Sequence, residues 1–222
     1  MLDRLLNLLF PRKCMFCRGP AGSGGICNQC RALYMDHTRP KIAALRDKKA
    51  LDGVIYALAY KGGAREAVRA YKFNYRPGYA APFGRILAAM LLHSGAEFDL
   101  VTRAPVSLRR RMERGFDHTG LLLDETAKHI GGMRFDRDVL KRGHRPAQNG
   151  LTREQRLVNL KGAVKVKKGK DVAQMSVLII DDVVTTGSTL EECARALKAA
   201  GAARVTGLAL TAAEGRLTRR PL

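Results

Sequence analysis

The sequence predicts an α/β fold, a parallel sheet flanked by helices, preceded by a small metal-binding module. Three observations lead there. Apolar runs of strand length alternate with segments whose apolar residues recur at helical spacing. One such run, Val177 to Ile180, ends in two adjacent carboxylates and a hydroxyl-rich turn. Four of the five cysteines fall within residues 14–30 as two Cys-x-x-Cys pairs.

Met1 to Phe10 sets Leu2, Leu5, Leu6 and Leu9 at helical spacing around Asp3, Arg4 and Asn7. This predicts a short amphipathic helix docked on the body, with a membrane-surface anchor as the rival reading. The segment lacks the basic start and small-residue cleavage site of a signal peptide. No apolar run approaches the roughly 20 residues that span a bilayer. A cytoplasmic protein without a membrane span is the expectation.

The pairs Cys14/Cys17 and Cys27/Cys30 form two knuckles that can offer four thiolates to tetrahedral Zn2+. Gly19, Gly22, Gly24 and Gly25 between them permit the tight turns that close such a site. Disulfides or redox pairs are the rival, and a reducing compartment disfavours them. With cysteine at all four positions no coordination site is left open, so the metal is structural. It would supply the folding free energy of a segment too small for its own core, on the order of 10 kcal/mol. The helix and this module make up residues 1–40, and residues 41–222 form the main domain.

In the main domain, Lys41 to Asp52 reads as a polar connector and Val54 to Tyr60 as a strand. Lys61-Gly62-Gly63 is a turn, and Ala64 to Lys72 returns to helical spacing. Pro77-Gly78 marks another turn. Phe83, Ile86, Leu87, Met90 and Leu91 define an amphipathic helix. Asp99 to Ala104 is a short strand, Leu121 to Ile130 a helix stopped by Gly131-Gly132, and Gly162 to Val166 alternates as a strand does. Val177 to Ile180 suits a strand buried on both faces. A helix follows from Ser188 to Ala200, with Ser188 and Glu191 as a capping-box pair, and Cys193 shares its apolar face with Leu190, Ala194 and Leu197. Arg204 to Leu210 is the last strand, and the tail from Glu214 is polar.

Composition narrows the function. The 222 residues hold 46% hydrophobic residues, enough for a packed core. Lys and Arg number 40 against 20 Asp and Glu, a formal charge of +20, which favours a polyanionic partner or substrate. The excess is clustered: residues 134–170 carry twelve Lys/Arg and three Asp/Glu. The absence of Trp and the few aromatics do not favour a base-stacking platform.

The chemistry concentrates in Val177 to Thr189. Asp181 and Asp182 fall at the carboxyl end of a strand, where open parallel sheets bind ligands. Thr185, Thr186, Gly187, Ser188 and Thr189 form the turn into a helix, which can aim N–H groups and hydroxyls at a phosphate. Neither a G-x-x-x-x-G-K-[ST] loop nor a G-x-G-x-x-G after a strand occurs. The segment resembles the motif by which type I phosphoribosyltransferases bind PRPP, 5-phosphoribosyl 1-pyrophosphate.

The order of parts resembles one subfamily, the ComF-type proteins (competence protein F-like). The four-cysteine knuckle comes first, then Tyr60-Lys61-Gly62. Next comes an Arg-x-x-x-Arg-Gly-Phe-Asn-Gln loop, matched here by Arg110, Arg114, Gly115 and Phe116, with Asp117 and His118 in place of Asn-Gln. Arg145, Gln148, Leu151, Arg153, Arg156 and Asn159 resemble the family's flexible segment. The resemblance implies a type I phosphoribosyltransferase fold over 41–222. It implies that Asp181, Asp182 and Thr185 to Thr189 hold PRPP, that Arg110, Arg114 and Lys61 are catalytic, with Arg110, Arg114 and Gly115 gripping pyrophosphate, and that Arg145, Gln148, Arg153 and Arg156 belong to a lid. Mg2+ would accompany PRPP, and Zn2+ would be structural. Three roles stay open: a PRPP-binding protein acting in DNA uptake through a basic surface, with single-stranded DNA and competence or recombination proteins as partners; an active transferase of nucleotide metabolism or salvage whose acceptor the sequence does not name; and a non-catalytic PRPP-sensing regulator.

Overall fold

The computed structural model describes residues 13–21, 24–36, 39–45, 47–143, 162–213, 215 and 217–219. The expected helix at Met1 to Phe10 lies outside them, as do Arg145, Gln148, Leu151, Arg153, Arg156 and Asn159.

Seven strands form one sheet. They are β1 (Lys41–Leu45), β2 (Gly53–Ala59), β3 (Leu100–Arg103), β4 (Arg134–Phe135), β7 (Ser176–Val184), β8 (Arg204–Ala212) and β9 (Leu217–Arg219), in the order β4-β3-β7-β8-β2-β1-β9. A separate antiparallel pair joins β5 (Leu140–Arg142) to β6 (Val164–Val166). The five strands from β4 to β2 are parallel, as the alternation of strands and helices predicts. The edge was not expected. Lys41 to Leu45 is a strand antiparallel to β2, and the polar tail adds β9 antiparallel to β1. Both are short: β1, between β2 and β9, buries only Ala43 and Leu45, and β9 is the outermost strand on that side.

The alternation of β7 sets out the two sides of the core. Leu178 and Ile180 join one apolar cluster, while Val177 and Ile179 join the other. On the first side pack α2 (Gly62–Phe73), α3 (Ala80–Ser94) and α5 (His118–Ala127). On the second lie α6 (Ser188–Ala199) and the β5/β6 pair. Cys193, Leu190, Ala194 and Leu197 are fully buried in that second cluster. Among the described residues no helix is long and apolar enough to cross a membrane.

The cysteine module, with its short helix α1 (Asn28–Arg31), rests on the first side. Phe16 stacks on Tyr34 at 4.3 Å and meets Phe83 of α3 edge-on at 6.5 Å. At Gly63, in the first turn of α2, a Cβ would come within 2.8 Å of the Phe16 carbonyl oxygen. The Lys-Gly-Gly turn thus lets the module seat directly on α2.

Two local expectations change. The stretch after β3 is helical, α4 (Leu108–Arg114), and no residue of α4 is buried. The capping box does not form: Gly187 is the N-cap of α6 with φ 69° and no side-chain cap bond. Glu191 turns instead to a distant loop and accepts from the N–H groups of Lys49, Ala50 and Leu51 at 3.1–3.3 Å. Three donors outcompete the single N–H that a reciprocal cap would offer.

Candidate functional site

A polar cleft of 190 Å³ opens at the carboxyl ends of β3 and β7. Strand β7 runs past the two aspartates to Val184, and its alternation aims the neighbours at opposite sides of the sheet. Asp182 follows Leu178 and Ile180 toward the α2/α5 side and ion-pairs with Lys72 Nζ at 2.8 Å. Asp181 follows Val177 and Ile179 and accepts from the Asp182 N–H at 2.9 Å. Both side chains are buried, yet both line the cleft with Arg110, Arg114, His118, Thr119 and Arg142.

Burial and the adjacent Asp182 carboxylate raise Asp181 well above the usual carboxylate range. Burial is the largest influence on Asp182 and would raise it, but the Lys72 ammonium, with His118 and the hydrogen bonds from Lys72 and Asp181, together hold Asp182 low and ionised. The pair therefore divides into one neutral and one charged acid at neutral pH. Burial pushes His118 down to about 4, with Asp182 opposing and Arg114 and Lys72 reinforcing the shift. The ring is neutral at pH 7, and both its nitrogens face Arg114 Nη1, Nε2 at 2.7 Å and Nδ1 at 2.9 Å, so the nitrogen without the proton accepts from that guanidinium. Asp182 Oδ2 lies 3.6 Å from His118 Nε2, too far for a hydrogen bond, and is buried with no donor among the described residues. A buried carboxylate oxygen in that state needs a donor, and a ligand hydroxyl or metal-bound water would provide one.

The hydroxyl-rich turn closes one end. Thr185 and Thr189 line the cleft, and Thr186 Oγ1 meets Ser188 Oγ at 2.9 Å behind them. A Cβ on Gly187 would run into the Leu45 side chain, so both the positive φ and the close approach require glycine there. The helix behind this turn presents its first N–H groups without intrahelical acceptors.

Of the residues singled out in the sequence, the cleft lining includes Asp181, Asp182, Thr185, Thr189, Arg110 and Arg114. Thr186, Gly187 and Ser188 shape the turn. Gly115 is the left-handed C-cap of α4, just behind Arg114. Lys61 sits elsewhere, in a second cleft of 700 Å³ walled by Leu33, Tyr34, Ala57, Leu58 and Ala59 with Arg39 and Lys41. Arg145, Gln148, Arg153 and Arg156 lie outside the described residues.

Lys72 was missed as a site residue. It reads as the last turn of an ordinary helix, and only the packing of α2 brings it to Asp182. The two replaced loop residues divide the work. Asp117 N-caps α5 through the Gly120 N–H at 3.0 Å and ion-pairs with Arg103 at 3.0 Å, while His118 enters the cleft.

In the N-terminal module the Sγ atoms of Cys14, Cys17, Cys27 and Cys30 lie within 4.8 Å of one another, with Cys17 and Cys27 at 3.7 Å. A tetrahedral ion with Zn–S bonds of 2.3 Å would separate its ligands by about 3.8 Å, so the cluster fits Zn2+. Burial would raise Cys14, but N–H donors from Cys17, Cys27 and Phe16 reverse this and hold the thiol at about 6, in thiolate form.

Residues 121–221 match the family model of the phosphoribosyl transferase domain, and residues 5–41 match that of the double zinc ribbon domain. The DNA utilization protein YhgH of Escherichia coli O6:H1 is 30% identical over 220 residues, which cover 89% of this chain and 96% of the relative. Competence protein F of Haemophilus influenzae is 24% identical over 213 residues, 86% of this chain and 93% of that protein. The glutamine PRPP amidotransferase of B. subtilis superposes with a TM-score of 0.44 at 20% identity, over 64% of this chain and 30% of that one. The chain belongs to the family of the DNA utilization protein YhgH and competence protein F, with a type I phosphoribosyltransferase fold behind a four-cysteine zinc site.

Proposed function

We propose that the 190 Å³ cleft binds PRPP with Mg2+ and that the protein acts in the handling of DNA, the role its curated relatives' names carry. The observation that carries the first part is the unsatisfied Oδ2 of Asp182, buried beside a neutral Asp181. Ribose hydroxyls are donors of the right size for both acids. The 5′-phosphate would lie against Thr185, Thr189 and the start of α6, and Arg110 and Arg114 would meet the pyrophosphate.

Lys72 holds Asp182 ionised and in place, so the acceptor is set before the sugar arrives. His118 receives Arg114 and fixes the direction of its guanidinium. Both acids offer hard oxygen donors suited to the water shell of Mg2+, which would neutralise pyrophosphate charge. If transfer occurs, the leaving pyrophosphate gathers negative charge, and Arg110 and Arg114 are its preorganised partners. No protein nucleophile is needed. A transferase of nucleotide metabolism and a PRPP sensor that does not turn over use the same cleft and differ only in turnover.

Calorimetric titration with Mg-PRPP tests the reading. Asp181→Asn keeps the neutral state already favoured in the free protein, so folding persists, while affinity should fall tenfold or more. Unchanged affinity would refute the ribose contacts. Pyrophosphate release from PRPP across candidate acceptors then separates catalysis from binding. The DNA role predicts single-strand binding that weakens steeply with salt, with a slope of about 0.7 in log affinity per phosphate contacted.

A further inference from the structure

At the mouth of the cleft the structure displays aromatic rings that the core does not use. Phe73 is 68% exposed and Tyr75 is 67% exposed, in a chain with no Trp and few aromatics. Tyr75 holds a left-handed backbone, φ 46°, which a residue with a side chain rarely adopts. Its ring stands edge-on to Phe116 at 5.9 Å and lies against Gly115, where a Cβ would come within 2.8 Å. Phe116 in turn packs against the buried Tyr71 at 5.3 Å. The ring is thus braced from behind while its outer surface faces water. Phe73 carries the Arg114 guanidinium over its ring at 5.3 Å, and Arg114 also lines the cleft.

Charge around these rings is of one sign. Arg76, Arg109, Arg110 and Arg111 are exposed, and the one carboxylate in α4, Glu113, is engaged by Arg109 at 2.7 Å. Exposed rings interleaved with guanidinium groups, with the one nearby acid of α4 held by Arg109, match the demands of an unpaired polynucleotide. Its bases need flat apolar partners and its phosphates need forked cations. A protein partner of ordinary composition would not call for this charge density.

We propose that Phe73 and Tyr75, with Arg76, Arg110 and Arg111, form a stacking surface for single-stranded nucleic acid along the mouth of the cleft. The inference rests on the DNA arm of the proposed function and gives it a location. It does not require that the cleft hold PRPP.

Because the chain has no Trp, Phe73→Trp installs a single reporter. Titration of the full-length variant with a twenty-residue oligothymidylate should quench the indole emission saturably. A Trp placed at Leu92, exposed on α3, should not respond. In the otherwise native chain, Phe73→Ala with Tyr75→Ala should weaken oligonucleotide binding about tenfold or more. An unquenched indole at saturating oligonucleotide would overturn the proposal. So would equal DNA affinity of the alanine variant, or self-association that Phe73→Ala abolishes with DNA binding intact. Quenching in a protein that does not bind Mg-PRPP would support this surface and refute the donor cleft.

Discussion

Two adjacent aspartates do different work because a strand sends them to opposite sides. Asp182 reaches the ammonium of Lys72, and Asp181 is left in low dielectric beside a charge of its own sign. The sequence makes the carboxylates and the hydroxyl turn legible because they are contiguous. It hides Lys72 and gives little sign of His118, since these reach the site only when α2 and α5 pack on the sheet. His118 also supplies a pH signature. Its native pKa of about 4 lies below the ordinary 6.5, so the unfolded chain binds more protons between those values. The stability that His118 contributes is therefore lost as pH falls from 6.5 to 4 and is constant above. Asp181, shifted upward, slopes the other way in the same range, so the difference between two proteins is the clean quantity. Against His118→Gln, the wild type should lose about 3 kcal/mol of relative stability across that window. Denaturant unfolding at pH 4, 5.5 and 7 checks this. A pH-independent difference would show that the ring is not buried neutral.

Elements show where local rules were overruled. A Ser-x-x-Glu pattern at the head of α6 predicts a capping box, yet Glu191 is recruited 140 residues away to the loop before β2. It ties that loop to the helix that follows the hydroxyl-rich turn. Glu191→Ala strands three N–H groups and should lower the unfolding free energy by about 3 kcal/mol, measured in urea. A cap alone would cost about 1 kcal/mol. The two antiparallel strands at this side of the sheet, β1 and the edge strand β9, were illegible for a related reason. Such short strands need no continuous apolar run, and their register comes from β2 and from each other. The strands β2, β3, β7 and β8 and the helices α2, α3, α5 and α6 were legible because burial on one or both faces leaves a periodic trace.

At the scale of the molecule, the zinc module and the sheet are one packed body. The spacing of four cysteines gave the metal site away, but not where it would sit. Phe16, Tyr34 and Phe83 join it to α3, and Gly63 lets it approach α2. Purified protein should carry one zinc per chain. Its removal by chelation should collapse the near-ultraviolet tyrosine signal and lower the melting temperature of the entire chain. A metal-free protein with an intact signal would show that the module folds without the ion. Of the +20 charge, Arg110, Arg114 and Arg142 line the cleft. The most direct measurement is a crystal structure of the chain soaked with Mg-PRPP. Ribose hydroxyls should appear within hydrogen-bonding distance of Asp181 and Asp182, with the 5′-phosphate against Thr185 and Thr189. Sugar density in the 700 Å³ cleft beside Lys61, or an Asp182–Lys72 pair left untouched by ligand, would contradict the account.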